Sequence, residues 1–179
     1  MRRTSGFRWW RKMPSRYQVL DACCGSRMCW FDRDDPRAVF VDRRREQHVL
    51  VDRSSRGGQR TLSITPTVQA DFRALPFRDG SFSVVVFDPP HFMRNGQSGW
   101  MAKKYGVLDR ATWRGDLQGG FSECFRVCRD GGTVVFKWNE NEVALAEIIP
   151  LAPEAPLVGT RFGKHQQSHW LVFMKPGWG

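Results

Sequence analysis

The chain has 179 residues, enough for one domain with a hydrophobic core and with little room left for a second domain. Hydrophobic residues make up 41% and charged residues 26%, as in soluble globular proteins, and no apolar run approaches the roughly 18 residues of a membrane span. The net charge of +10 favours a polyanionic partner.

Residues 1–16 are a basic arm, and residues 17–179 form the single predicted domain. The arm has six basic residues and no acid, and Trp9 and Trp10 lie among them. Basic side chains beside aromatic rings suit a polyanion whose bases can stack. We therefore predict that the arm contacts nucleic acid. The alternative is a solvated tail that only raises solubility.

The sequence favours a reducing cytoplasm. The first residues include arginines but no apolar stretch with a small-residue cleavage site, so a secretory signal is not expected. The five cysteines are an odd number and include the adjacent Cys23 and Cys24, which make a poor disulfide framework.

Short apolar runs with turn signals between them predict β-strands. In chain order they are residues 17–22, 38–42, 48–52, 61–64, 82–88, 132–138 and 169–175. Residues 84–87 and 134–136 are continuously apolar, as expected of central strands covered on both faces. Only about five residues separate the second and third runs, so we expect a hairpin inserted after the second strand, with its turn near residues 53–60.

Two helices are predicted in the second half of the chain. Residues 110–129 place apolar side chains, including Cys124 and Cys128, at three- and four-residue steps. Residues 139–149 begin with the cap-like spacing of Asn139 and Glu142 and stop before Pro150. Strands that alternate with helices predict an α/β fold with a mostly parallel sheet.

Four carboxylates lie at or near the ends of predicted strands: Asp21, Asp42, Asp71 and Asp88. Ligands of open α/β sheets bind at the carboxyl ends of strands, so these acids mark a candidate site, although any one of them alone could be an ordinary turn residue. The pattern G-x-G-x-x-G is absent, which counts against a nicotinamide enzyme. No metal site is predicted, because His165 and His169 lack supporting ligands.

The sequence resembles class I S-adenosylmethionine-dependent methyltransferases, and more narrowly the small adenine-N6-type methyltransferases of bacteriophages and prophages. The matching segments are VLDACCGS (19–26), VFVD (39–42), ADFRALPFRDGSFSVVVFDPPH (70–91), WMAKKYGVL (100–108), FKWNE (136–140) and SHWLVFMK (168–175). The resemblance implies a Rossmann-like fold whose last strand is antiparallel, S-adenosylmethionine as cofactor, and the host cytoplasm if a bacteriophage encodes the chain.

The resemblance also implies a cofactor site. Its residues would be Asp21, Ala22, Cys23, Cys24 and Gly25 near the methionine moiety, Asp42 and Arg43 near the ribose, Asp71 and Phe72 near the adenine, and Asp88. The family's glycine-rich turn is replaced by Ala-Cys-Cys-Gly, in which only Gly25 takes a positive φ without strain. We therefore expect the turn to be built differently.

The segment Asp88-Pro89-Pro90-His91 carries the predicted catalytic residues. A planar exocyclic amine is a poor nucleophile, and hydrogen bonds to a carboxylate and a backbone carbonyl would orient it. Asp88 would supply the carboxylate, and Pro89 the carbonyl in a φ-restricted backbone. By resemblance, His91 stacks on the target base, with Phe92 as a second candidate. The alternative is a rigid turn without chemistry.

Residues 91–108 are predicted to form a mobile lid over the substrate. Its cations would meet phosphate and its rings would stack a displaced base, and the alternative is an ordinary solvated loop. The substrate-binding candidates are Phe92, Arg94, Trp100, Lys103, Lys104 and Tyr105.

These features predict an N-methyltransferase that acts on a nucleobase amine, most plausibly adenine N6 in DNA. The alternatives are adenine in RNA, a glutamine or lysine amine on a protein, and a cofactor- or nucleic-acid-binding module without turnover.

Overall fold

A computed structural model of the protein describes residues 18–51, 57–93, 100–160 and 167–177. The strands in these ranges are β1 (Val19–Asp21), β2 (Ala38–Asp42), β3 (Glu46–Val51), β4 (Gln59–Ile64), β5 (Val68–Gln69), β6 (Phe82–Phe87), β7 (Cys128–Asn139), β8 (Val158–Gly159) and β9 (Ser168–Met174). The helices are α1 (Trp100–Tyr105), α2 (Trp113–Val127) and α3 (Leu145–Ile148), and a 3-10 helix (Ile149–Leu151) follows α3. The basic arm, Arg94, His165 and residues 53–56 of the predicted hairpin turn lie outside the described residues.

A seven-stranded sheet organises the domain, with the strand order β5-β2-β1-β6-β7-β9-β8. Strands β5, β2, β1, β6 and β7 pair in parallel, and β9 pairs antiparallel with both β7 and β8. The predicted α/β fold, mostly parallel with an antiparallel last strand, is confirmed. From β1 the chain first builds outward through β2 and β5 and then starts again at β6 on the other side of β1. Ligands of such sheets bind at this switch point, beyond the carboxyl ends of β1 and β6.

The predicted hairpin after the second strand is confirmed as the antiparallel pair β3–β4, which forms a sheet of its own. Leu62 and Ile64 at its base are buried, whereas Val49 and Val51 on the partner strand are exposed. The hairpin is therefore anchored at one end, and we call it the ribbon.

The main hydrophobic core lies on one face of the seven-stranded sheet, against α2. Adjacent strands align their side chains there, because Leu20 is in register with Val85, and Val85 with Val134. The buried members of this face include Leu20, Val39, Val41, Val85, Phe87, Val134, Phe136, Leu171 and Phe173, and α2 contributes Leu117, Phe121 and Cys124. Burying a large apolar side chain contributes roughly 1.5–3 kcal/mol, so this face dominates the stability of the fold.

The opposite face is less covered than the apolar runs predict. Val84, Val86 and Val135 point there and are only half-buried. The expectation that residues 84–87 and 134–136 are covered on both faces is therefore wrong for this face. The physical reason is that the connection between β1 and β2 consists of turns instead of a helix that could lie across these strands.

The two predicted helices differ from those in the structure. Cys128 is buried as predicted, but it begins β7 instead of ending α2. Asn139 ends β7 because its side-chain Nδ2 donates to Ser168 Oγ across the ladder, at 3.0 Å. The carboxylate of Glu140 instead accepts the Leu145 N–H at the start of α3, at 3.1 Å, so this helix begins later than predicted. Helix α3 ends at Ile148, within one residue of the predicted end, and Pro150 lies in the 3-10 helix that follows.

Three elements were not predicted. Strands β5 and β8 have two residues each, too few to show a hydrophobic period. Helix α1 lies inside residues 91–108, for which a mobile lid was predicted and no helix. Among the described helices, none has the length and apolar character needed to cross a membrane.

Candidate active site

Three of the four predicted carboxylates meet at the switch point of the sheet. Asp21 and Asp42 are the last residues of β1 and β2, and Asp88 directly follows β6. They line one cleft together with most of the other predicted site residues. From the predicted set, the cleft contains Asp21, Ala22, Cys23, Cys24, Gly25, Asp42, Arg43, Phe72, Asp88, Pro89, Pro90, His91, Lys104 and Tyr105.

The turn after β1 crosses over the end of β2. Cys24 donates its N–H to the carbonyl of Val41 at 2.7 Å, and Gly25 donates its N–H to Asp42 Oδ2 at 3.0 Å. Gly25 has a φ of +49°, as predicted from its position in Ala-Cys-Cys-Gly. A single glycine therefore suffices here, because the rest of the turn is held by hydrogen bonds to the neighbouring strand.

Asp42 is almost fully buried and is held by Arg44, a residue that sequence reasoning missed. Arg44 donates to Asp42 Oδ1 from its backbone N–H at 2.9 Å and from Nε at 3.1 Å. Its Nη1 donates to the carbonyl of Lys103 at 2.9 Å. Arg44 thus ties the end of β2 to α1, which lies across the cleft.

Asp21 is buried and has an unusually weak acidity. It accepts hydrogen bonds from Trp30 Nε1 at 2.7 Å and from the Cys23 N–H at 3.3 Å. The pKa of Asp21 is raised to about 7, mainly by burial and to a smaller extent by the charges of Asp88 and Asp42, while the two hydrogen bonds oppose the shift. The three carboxylates repel each other, but Arg44 pairs with Asp42 and Lys137 pairs with Asp88, so a cationic ligand would be best placed beside Asp21.

Asp88 is paired with Lys137, a second residue that sequence reasoning missed. The Lys137 Nζ donates to Asp88 Oδ2 at 2.7 Å, and the two side chains are 21% and 23% exposed. Burial raises the pKa of Asp88, and the charge of Lys137 partly offsets that shift. The pair forms because Phe87 and Phe136 are in register on parallel strands, which brings the next residue of each strand together.

A second cavity lies on the other side of Asp88. It has a volume of about 150 Å³ and shares Asp88, His91 and Tyr105 with the cleft. Its remaining lining residues are Phe92, Met101, Lys137, Asn139, Asn141 and Ser168. We call it the acceptor cavity. Aromatic rings and uncharged polar groups line it on most sides, which suits a planar ligand with hydrogen-bonding edges.

His91 forms part of the wall between the cleft and the acceptor cavity. Its ring centroid lies 4.3 Å from that of Phe92 and 5.6 Å from that of Tyr105, and the residue is 8% exposed. Burial lowers the pKa of His91 to about 4, and the charge of Lys137 acts in the same direction. The imidazole is therefore neutral near pH 7.

No protein-family model matches the chain, and no curated protein matches it. Solved structures do match over most of its length. A methyltransferase dependent on S-adenosylmethionine from Methanosarcina mazei is 13% identical, with 93% of this chain and 95% of that one covered and a TM-score of 0.51. A TehB-like methyltransferase from Corynebacterium glutamicum, also dependent on S-adenosylmethionine, is 12% identical, with coverages of 92% and 82% and a TM-score of 0.50. A Pyrococcus horikoshii protein is 17% identical, with coverages of 89% and 81% and a TM-score of 0.54.

The chain has the fold of S-adenosylmethionine-dependent methyltransferases. At these identities the likeness concerns the fold, and the residues of the cleft must show whether they suit this cofactor. The cleft has a volume of about 60 Å³ and opens into a larger cavity of about 550 Å³ that shares Arg43, Phe72 and Pro90 with it. The carboxylate-lined cleft suits a sulfonium cation, and the adjoining cavity has room for the nucleoside. The residues present therefore fit the cofactor.

Asp71 and two predicted substrate residues lie apart from these cavities. Asp71 does not line the cleft, and its two oxygens accept hydrogen bonds from Nε and Nη2 of Arg73, at 2.9 and 2.7 Å, which lower its pKa. Trp100 lines neither the cleft nor the acceptor cavity. Lys103 lines a separate recess between α1 and the ribbon. The Lys104 ammonium lies 4.9 Å from the centroid of the Tyr105 ring, at the mouth of the cleft.

The cysteines of the cleft are protonated thiols. Burial raises the pKa of Cys23 and Cys24 well above the ordinary range, and it raises that of Cys29 to about 11. All five cysteines of the chain are free. Within the described ranges, no group of three or more His, Cys, Asp or Glu residues is arranged to hold a metal ion.

Proposed function

We propose that the protein is an S-adenosylmethionine-dependent N-methyltransferase that acts on the exocyclic amine of a nucleobase, adenine N6 in DNA. The observation that carries this proposal is the position of Asp88. Its carboxylate stands between a cleft that suits a cationic cofactor and a cavity that suits a planar ring. A group that moves from one ligand to the other would pass this residue.

Several residues would hold the cofactor, which supplies an electrophilic methyl group when it is bound. Asp42 would accept hydrogen bonds from the ribose hydroxyls, in competition with Arg44. Asp21 would face the sulfonium, whose positive charge relieves the repulsion among the three carboxylates. Arg43 and Phe72 would border the adenine, and Asp71 would have to release Arg73 to accept a hydrogen bond from the adenine amino group.

The acceptor amine would be held by Asp88 and by the carbonyl of Pro89. Two hydrogen bonds from the amine to these oxygens would fix its direction and stabilise the positive charge that develops on nitrogen. His91 would contribute a neutral ring beside the target base. Phe92 and Tyr105 line the same cavity and supply further aromatic surface for stacking.

The partner we propose is nucleic acid, in the cytoplasm. The support is the net charge of +10, the basic arm and the ribbon. Gln47, Val49, Thr61 and Ser63 on the outer face of the ribbon are exposed and uncharged, and a two-stranded ribbon of this kind fits the major groove of DNA. A base in duplex DNA would have to leave the stack to reach Asp88, at a cost of a few kcal/mol. Adenine in RNA and an amine on a protein are the competing substrates.

The decisive experiment is an incubation of the purified protein with methyl-labelled cofactor and three separate pools: DNA, RNA and total protein. We expect label in DNA, recovered as N6-methyladenine after digestion. Label confined to RNA or to protein would contradict the assignment of DNA and identify that polymer as the substrate. Absence of label from all three pools, with cofactor binding retained in a calorimetric titration, would identify a binding module without turnover.

A further inference from the structure

One of the two carboxylate oxygens of Asp88 already has a hydrogen-bond partner in the absence of substrate. The Lys137 ammonium contacts Oδ2 at 2.7 Å, and among the described residues no hydrogen bond engages Oδ1. Lys137 also lines the acceptor cavity, so it lies beside both Asp88 and the space for the substrate. The pair is therefore part of the cavity wall and not a surface ion pair.

Lys137 is held in place from the other side of the strand ladder. It is in register with Trp170 of β9, and its ammonium lies 5.6 Å from the centroid of that ring. A cation over an indole ring is attracted by the negative face of the π-system. The flanking residues Phe136 and Trp138 are fully buried on the opposite face. The lysine is thus aimed at Asp88 by a rigid strand.

The groups around Asp88 would otherwise disfavour its charge. Those that interact electrostatically with Asp88 or with Lys137 are Asp21 from β1, Cys23 and Cys29 from the turns after β1, His91 from the segment after β6, and Tyr105 from α1. Asp21 carries negative charge when ionised, and burial keeps the two thiols and the imidazole of His91 neutral near pH 7. Burial disfavours the carboxylate as well. Within this set, Lys137 alone supplies a positive charge.

We propose that Lys137 is a positioning residue of the transfer site, which keeps Asp88 ionised and holds one of its oxygens so that the other is offered to an uncharged amine in the acceptor cavity. This inference rests on the proposed function for its consequence, but the ionisation of Asp88 can be measured without turnover. A protonated Asp88 would have one oxygen bearing hydrogen and could no longer accept freely from the amine.

The pair also narrows the substrate class. The charge of Asp88 is already matched by Lys137, so a protonated alkylamine in the acceptor cavity would place a second cation beside one carboxylate. A nucleobase amine is uncharged and meets no such repulsion. We infer that the site selects a neutral planar amine and disfavours the side chain of lysine, which was one of the alternatives open from sequence.

The first test measures Asp88 directly. In protein labelled with carbon-13 at the aspartate carboxyls, D88N identifies the Asp88 resonance, and K137M should raise its titration midpoint by about one pH unit or more. K137R should restore a midpoint close to that of the wild type. K175M is the matched control, because Lys175 pairs with Asp130 at 3.3 Å, at the other end of β7. An unchanged Asp88 midpoint in K137M would overturn the inference.

The second test is the pH profile of methyl transfer. K137M should lower kcat about tenfold near pH 7 and recover toward the wild-type rate as pH rises, because a higher pH ionises Asp88 without the lysine. A loss that is equal at every pH would show a merely structural role and would contradict the proposal. K137Q serves as a second neutral variant if K137M unfolds in a thermal scan.

The two proposals fail in distinguishable ways. If the Asp88 midpoint rises in K137M but the wild type transfers no methyl group to any pool, the proposed function fails and the role of Lys137 in ionising Asp88 stands. If the wild type methylates a lysine-containing peptide in preference to an adenine-containing oligonucleotide, the selection of a neutral amine is wrong.

Discussion

The carboxylates of the cleft and those around α2 have opposite electrostatic surroundings. In the cleft, burial raises the pKa of Asp21 and of Asp88. Beside α2, Arg126 lowers the pKa of Glu123, and Arg73 lowers that of Asp71. Arginines therefore stabilise the charged carboxylates beside α2, which we call the compensated region. In the cleft, burial outweighs the pairing of Asp88 with Lys137 and disfavours the charged form, and we call this the strained region.

The difference shows what each region contributes. The connection between β5 and β6 is built of turns, and Arg126 holds it by donating to the carbonyls of Phe77 at 2.8 Å and Leu75 at 3.0 Å. Glu123 completes the arrangement by accepting the Leu75 N–H at 2.7 Å. These charges stabilise a loop. The charges of the cleft cost stability in the free protein, and a cationic cofactor would offset that cost.

The largest expected effect comes from removing the carboxylate at the centre of the strained region. D88A should lower methyl transfer by about 1,000-fold, because the amine loses the acceptor that orients it and stabilises its developing charge. Cofactor affinity, measured by calorimetry, should change by no more than about threefold. Wild-type turnover by this variant would contradict the assignment of Asp88.

The free energy of unfolding should depend on pH through Asp21, the most strongly shifted carboxyl of the strained region. Its folded pKa is raised from 3.8 to about 7, so its contribution to stability is fully present below pH 3.8 and is lost as pH rises toward 7. D21N removes this loss. Urea unfolding should show D21N to be more stable than the wild type by about 2 kcal/mol near pH 8, with no gain near pH 4.

The control for this experiment is D35N. Arg37 lowers the pKa of Asp35 to about 2, which is the opposite direction, and the Arg37 side chain is largely exposed. D35N should gain no stability near pH 8. A gain in both variants would mean that the general loss of negative charge, and not the burial of Asp21, is responsible.

In the compensated region, removal of a charged side chain should lower the free energy of unfolding instead of raising it. R126M removes the donor to two backbone carbonyls and leaves Glu123 with one ion-pair partner fewer, so the free energy of unfolding should fall by about 2 kcal/mol. Transfer per folded molecule should be unchanged, because Arg126 lies outside the cleft. R37M is the matched control and should cost at most about 0.5 kcal/mol. A loss of turnover in folded R126M would show that the two regions are coupled.

The smallest expected effect concerns the ribbon, where a carboxylate is added instead of removed. V49E places a negative charge at a residue that is 66% exposed, opposite Thr61 in the ladder, and should weaken binding to duplex DNA by about tenfold at low salt. V158E adds the same charge at a 59% exposed valine on the far edge of the sheet and should leave binding unchanged. Fluorescence anisotropy over a salt series measures both. Equal weakening by the two variants would mean that net charge alone governs binding.

Local sequence patterns were sufficient to predict most of the fold. Apolar runs closed by an acid placed Asp21, Asp42 and Asp88 at strand ends, because hydrophobic periodicity and its interruption are properties of neighbouring residues. The short spacing between the second and third runs predicted the ribbon for the same reason. The predicted start of α3 was wrong because Asn139 bonds to a strand that lies 29 residues away in sequence.

What the sequence by itself determined is the order of the strands along the chain, the residues that end them, and the single glycine of the first turn. Only the tertiary structure decided which partners those residues meet. Lys137 reaches Asp88 across 49 positions of sequence because two parallel strands are in register. Arg44 reaches α1 because the fold brings this helix beside the start of the ribbon. A charge pair of this kind depends on the distance in space between two strands, which no local pattern encodes. The pairing of Asp88 with Lys137 is what distinguishes a candidate active site from an ordinary strand end.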